Sequence, residues 1–194
     1  MIALTYDDIQ LMPAYSDIAS RMQINLQTQL TINLKLDIPI VASPMGTVCE
    51  YEMAAELMDM GGIGCIHRFL SIAQQSEMML KLKKKKESSS IQLPIMAAVG
   101  ANGDFLERAE ELVSNGANII LIDVAHGHHK NVKDAIAAIK SKCAGIDVIA
   151  GNIATAKAAS DLQDWGADAL RVGVRSEEHT SELQSRQYLV CRLL

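Results

Sequence analysis

Between residues 36 and 174, short apolar runs rich in β-branched residues alternate with longer stretches whose apolar positions recur with helical period. That alternation marks consecutive βα units. Six runs predict strands: LDIPIVAS, GGIGCIHR, PIMAAVG, ANIILIDVA, DVIAGNI and ALRVGV. Three intervening helices carry capping-box spacing at their starts: Thr47 with Glu50, Ser71 with Gln74, and Asp104 with Glu107. At such spacing a side-chain oxygen can satisfy the orphan amides of the first turn. After Asp104, Leu106, Ala109, Leu112 and Val113 share one helical face, and Gly116 can supply the left-handed residue that ends the helix. Val132, Ile136 and Ile139 repeat the device in the next unit.

The segments NGANIILIDVA and WGADALRVGV echo one another: helix end, Gly, Ala, a polar residue, then a strand. Their glycines, Gly116 and Gly166, are fifty residues apart, which suits two βα units. Residues 81–90, KLKKKKESSS, read as a solvated helix end with lysines facing the negative pole of the helix dipole, followed by a serine linker. Polar and glycine positions gather after the strands: Ser43; His67 and Arg68; Asn102 and Gly103; Asp123, His126 and His128; Gly151 and Asn152; and Gly173. A closed (β/α)8 barrel builds its site from many strand ends, whereas an open doubly wound sheet concentrates ligands at one switch point. No G-x-G-x-x-G follows any strand, so the pattern predicts the α/β barrel, here with about six of its strands.

Composition narrows the partners. Apolar residues make up 49% of the 194 and aromatics only 4%, so the core is aliphatic, as in parallel sheets covered on both faces. A net charge of −5 argues against nucleic acid or an anionic membrane as the main partner, and no apolar run approaches the length of a membrane helix. The four cysteines show no C-x-x-C spacing and the chain opens without a signal-like segment, which points to a reduced, cytoplasmic setting.

The densest cluster of chemistry is DVAHGHHKN, residues 123–131. Asp123, His126 and His128 are residue types that bind zinc, but they serve equally as caps of the next helix or as a metal-free ligand loop. SPMGTV, residues 43–48, sets Ser43 just before a capped helix, either as an anion site or as a plain turn. Cys49 and Cys65 have no base beside them in sequence and read as packing residues.

LTYDDIQLMP, Ser20 with Arg21, IPIVASPMGTV, GGIGCIHR, LIDVAHGH, IAGNIAT and GADALRVG occur in this order and at this spacing in the IMP dehydrogenase and GMP reductase family, which residues 3–174 resemble. The resemblance implies a (β/α)8 barrel binding a purine nucleotide and NAD, or NADP in a reductase, at its C-terminal face. It implies that a cysteine thiolate adds to C2 of IMP, hydride passes to NAD and water releases XMP; a reductase converts GMP to IMP with NADPH and loss of ammonia. By the same resemblance Ser43 and Met45 touch the nucleotide, and Asp123 holds the nicotinamide ribose. Asn152, Arg171 and Gly173 line the cofactor side. The intact parent is expected to be a homotetramer using a monovalent cation such as potassium.

Three departures stand out. Gly46 replaces the Asp of the family's SPMDTV, and only a short linker stands near residues 83–90, where many dehydrogenases carry CBS domains. Residues 175–185, RSEEHTSELQS, resemble the conceptual translation of a sequencing-library adapter, where the family continues into its catalytic cysteine loop. The sequence therefore predicts a partial barrel over residues 1–174 and a non-native tail over 175–194. No catalytic residue and no metal ligand is assigned, and Cys191 is not taken as the nucleophile. The chain is expected to be inactive as it stands, with two open sheet edges and poor solubility.

Overall fold

The computed structural model describes residues 10–89, 93–173 and, for the backbone, 189–191. Six parallel strands form as the alternation predicts: β3 (Val41–Ala42), β4 (Ile63–Ile66), β5 (Met96–Val99), β6 (Ile119–Asp123), β7 (Asp147–Ile153) and β8 (Ala169–Val172). They alternate with α1 (Tyr51–Met60), α2 (Ile72–Ser88), α3 (Phe105–Ser114), α4 (Lys130–Lys142) and α5 (Ala156–Asp164). An antiparallel hairpin of β1 (Thr28–Gln29) and β2 (Lys35–Leu36) precedes them. The strands pair in the order in which they occur in the chain. A doubly wound sheet reverses its strand order at a switch point; this sheet does not, and it curls into a six-strand half-barrel.

Every residue of β4, β5, β6 and β7 is buried, as expected of parallel strands covered on both faces. At Gly64 a Cβ would lie 2.6 Å from Ala54 Cα and 2.7 Å from Cys49 Sγ, so α1 sits on β4 at a distance only glycine permits. Ser71 and Gln74 form the predicted capping box of α2, and Gly116 takes a positive φ of 104° just beyond α3.

The other two capping boxes do not form. α1 begins at Tyr51 with Glu50 in the cap position, and the Glu50 carboxylate meets His67 instead of an amide. Asp104 occupies the cap position of α3, but its carboxylate takes Arg108. The run LDIPIVAS also divides. The amides of Asp37 and Ile38 both donate to the Gly61 carbonyl, Pro39 has no amide to offer a ladder, and only Val41–Ala42 joins the sheet.

The echo between the two segments is a repeated hydrogen-bond device. Asn118 Oδ1 accepts the Ile95 amide at 2.9 Å, and Asp168 Oδ2 accepts the Val148 amide at 2.6 Å. Each oxygen also takes a lysine from the end of a helix, Lys86 for Asn118 and Lys140 for Asp168. At the same end of the sheet, Thr31 and Asn33 both donate to the Asp147 carboxylate and pin the hairpin loop to the start of β7.

Two open edges were expected, but the β8 edge carries β9 (Leu189–Cys191), paired antiparallel over three residues. The rest of the proposed tail lies outside the described residues.

Candidate functional site

The C-terminal ends of the parallel strands deliver the candidate residues to one face. Ser43 and Pro44 after β3, Cys65 of β4, Met96 of β5, Leu121 of β6, Ile149 of β7 and Arg171 of β8 line a small, partly open, largely apolar hollow. Arg171 Nη1 donates to Asp123 Oδ1 across the sheet, and both side chains are buried. The pair spans β6 and β8, so β7 passes between them. Its Gly151 permits that: a Cβ there would lie 2.6 Å from both Cβ and the carbonyl oxygen of Arg171.

Asn152 follows directly. Its amide donates to the Val124 carbonyl at 2.8 Å and its carbonyl accepts the Gly127 amide at 2.7 Å, which sews the end of β7 to the loop after β6. The Asn152 side chain is 2% exposed, yet neither Nδ2 nor Oδ1 has a hydrogen-bond partner among the described residues. A buried amide left so costs about 1–3 kcal/mol unless a ligand completes it. Gly173, at a φ of 145°, donates its amide to the Ile153 carbonyl at 2.8 Å. Met45 turns back on Ser43, its amide donating to the Ser43 carbonyl at 2.8 Å. Of the six candidate residues only Ser43 and Arg171 line the hollow; Met45, Asp123, Asn152 and Gly173 do not.

His67 Nδ1 accepts the Phe69 amide at 3.2 Å, so Nε2 carries the proton that goes to Glu50 Oε1 at 3.1 Å. Gly46 faces the same ring, where a Cβ would sit 3.4 Å from His67 Nε2. The charge missing at position 46 therefore borders a histidine already held by Glu50.

The three groups considered as zinc ligands diverge. Asp123 pairs with Arg171, His128 Nε2 meets Asp161 Oδ2 at 2.8 Å, and His126 is exposed. Lys157 and then His128 hold the Asp161 carboxyl below its ordinary range. Among the described residues no three His, Cys, Asp or Glu side chains are grouped for a metal. His129 Nδ1 accepts the Asn131 amide and caps α4, which is the helix-capping alternative realised by a neighbouring residue.

Burial pushes the Cys49 thiol up to about 12, with Glu50 adding to the shift. Burial likewise raises Cys65 well above its ordinary value, reinforced by Cys49 and Asp123, and raises Cys143. All three stay protonated at neutral pH and are buried, Cys49 and Cys65 as the sequence indicates.

One buried network escapes the sequence reading. Gln75 Nε2 donates to the carbonyls of Ile66 at 3.2 Å and Ala98 at 2.9 Å, while its Oε1 accepts Arg108 Nη1 at 2.9 Å. Arg108 also reaches the Leu70 carbonyl and grips Asp104 through Nε and Nη2. The ends of β4 and β5 and the loops beyond them are thereby fixed together. Gln75 stands four residues before Met79, and Arg108 four before Leu112, both on buried stripes. A polar side chain in a core register was the signal.

The fold and face define an α/β protein of singly wound βα units whose curled half-barrel sheet lines an apolar hollow, with polar side chains at the strand ends. Residues 3–177 match the IMP dehydrogenase / GMP reductase domain, and the chain belongs to that family. It is 35% identical to an inosine-5'-monophosphate dehydrogenase of Borreliella burgdorferi over 89% of this chain and 53% of that protein. It is 36% identical to the same-named protein of Cryptosporidium parvum, over 88% of this chain and 51% of that protein. A protein of Leishmania donovani named GMP reductase is 27% identical, over 88% of this chain and 61% of its own length. The chain thus spans about half to three-fifths of these relatives.

Proposed function

We propose that residues 1–174 form the nucleotide-handling wall of an IMP dehydrogenase-like oxidoreductase, whose whole reaction is IMP, NAD and water to XMP and NADH. The carrying observation is the buried Asn152 amide, unpartnered among the described residues, one residue beyond Gly151, which stands in register with both Asp123 and Arg171. Two further parallel strands beyond β8 would complete an eight-stranded barrel. On this reading Ser43 and Met45 hold the nucleotide, and Asp123, fixed by Arg171, accepts from a ribose hydroxyl. Asn152 supplies one donor group and one acceptor, and Gly173 lets the cofactor approach the backbone. The bound dinucleotide supplies a hydride acceptor; the apolar hollow keeps water from the reacting atoms.

The buried thiols of Cys49, Cys65 and Cys143 do not suit the covalent step and residues 175–185 do not resemble the family's catalytic cysteine loop, so binding without turnover is the activity proposed for this chain. NAD, a potassium-type cation, a tetrameric assembly and a cytoplasmic setting belong to the same proposal for the whole enzyme. The names of the Leishmania relatives support a second reading, GMP reductase with NADPH. Thermal unfolding with either ligand pair tests both. A rise in Tm with IMP and NAD is expected. A rise only with GMP and NADPH moves the assignment to the reductase, and no rise with either pair overturns it.

A further inference from the structure

The other charged side chains around the strand ends have partners: Asp123 has Arg171, Glu50 has His67, and Asp104 has Arg108. Arg68 differs. It stands directly after β4, half-buried, with no carboxylate at ion-pair distance among the described residues. Its Nε donates to the Asp123 carbonyl at 3.2 Å, and its guanidinium carbon lies 4.9 Å from the centre of the Phe69 ring. One bond and one cation–π contact therefore hold the guanidinium while Nη1 and Nη2 make no hydrogen bond among the described residues. Gly100 borders Nη1 without crowding it, since even a Cβ there would lie 3.9 Å away.

A half-buried guanidinium held in place, with its terminal donors unused, is prepared for an anion, because the cost of ordering the side chain has already been met by the fold. We propose that Arg68 is an anion fork that takes a phosphate group of the nucleotide ligands bound at this face. The inference rests on the binding reading above and adds to it the residue that recognises phosphate. Planar N–H pairs match phosphate oxygens bidentately, and the Phe69 ring beneath spreads the cationic charge over an aromatic face. A 5'-phosphate of a mononucleotide and the pyrophosphate of a dinucleotide present the same oxygens.

Calorimetric titration of the wild-type chain and of Arg68→Gln distinguishes these sources. The ligands are pyrophosphate, IMP against inosine, and NAD against nicotinamide riboside. The substitution is expected to weaken pyrophosphate and at least one of IMP and NAD about tenfold, leaving the phosphate-free partners unchanged; whichever of the two responds identifies the source. Arg68→Lys keeps charge without the fork and is expected to recover only part of the affinity. It carries the comparison alone should the Gln variant fail to fold. Equal losses with and without phosphate would mean a merely structural role and overturn the proposal, as would unchanged affinities or wild-type protein that binds no phosphate ligand. Arg68-dependent binding of pyrophosphate without any binding of IMP or NAD would instead overturn the functional reading and leave the fork standing.

Discussion

Asp123 and Arg171 are 2% and 4% exposed, and each is neutralised by the other. Removing one partner of a buried pair strands the other charge, so Asp123→Asn or Arg171→Met is expected to destabilise the fold by about 3–5 kcal/mol in urea unfolding. The double substitution is expected to recover most of that loss. A double variant as unstable as the sum of the two singles would show that the pair is not the source of the cost. The thiols give a second residue-scale expectation. Cys49 titrates at about 12 in the folded chain against an ordinary 9.0, and Cys65 is raised in the same direction. Above pH 9 the unfolded chain releases these protons first. Stability is therefore full below pH 9 and falls as pH rises toward 12, by about 1.4 kcal/mol per pH unit for each thiol still protonated. Urea midpoints measured from pH 8 to 11 check the sign; a flat profile contradicts it.

At the scale of elements, the chain closes its βα units twice in one way. Asn118 and Asp168 each accept the amide of a residue at the start of the preceding strand, so each truncation leaves a buried N–H unanswered. Asn118→Ala and Asp168→Ala are each expected to lower stability by about 1–3 kcal/mol. Asp168→Ala should cost more, because Lys140 also loses its carboxylate. Hydrogen exchange at the Ile95 and Val148 amides is the measurement, each speeding up only in its own variant. The bonds themselves reach back twenty or more residues and were not readable, but the Gly-Ala-polar echo that carries them was legible in the sequence. So were the six strands, whose apolar runs answer to burial on both faces. The failed caps had the right spacing for a first turn, but Glu50 found His67 seventeen residues away and Asp104 found Arg108. A spacing pattern cannot weigh a competing charged partner against an amide. Gln75 escaped because the two carbonyls it serves belong to different strands.

At the scale of the whole molecule, the curled sheet gathers the Asp123–Arg171 pair and the Gln75–Arg108 network toward the C-terminal ends of its strands, while the hairpin loop is pinned at the start of β7. Before the hairpin, Leu11, Met12, Tyr15 and Met22 are at least 90% exposed, so residues 10–27 bury little of their apolar surface. The candidate residues were readable one strand end at a time, and the sheet order explains why they converge: each parallel strand delivers its C-terminal end to the same rim. What the sequence did not disclose is how they divide. Asp123 and Arg171 neutralise each other, while the Asn152 amide is left without a partner among the described residues. The central claim is that this rim is a binding surface completed by a ligand. Its most direct test is calorimetric titration of NAD into the IMP-saturated chain, wild type beside Asn152→Ala. Saturable binding of one NAD per chain, weakened about tenfold by the substitution, is expected; no saturable heat, or equal affinity in the two proteins, would contradict it.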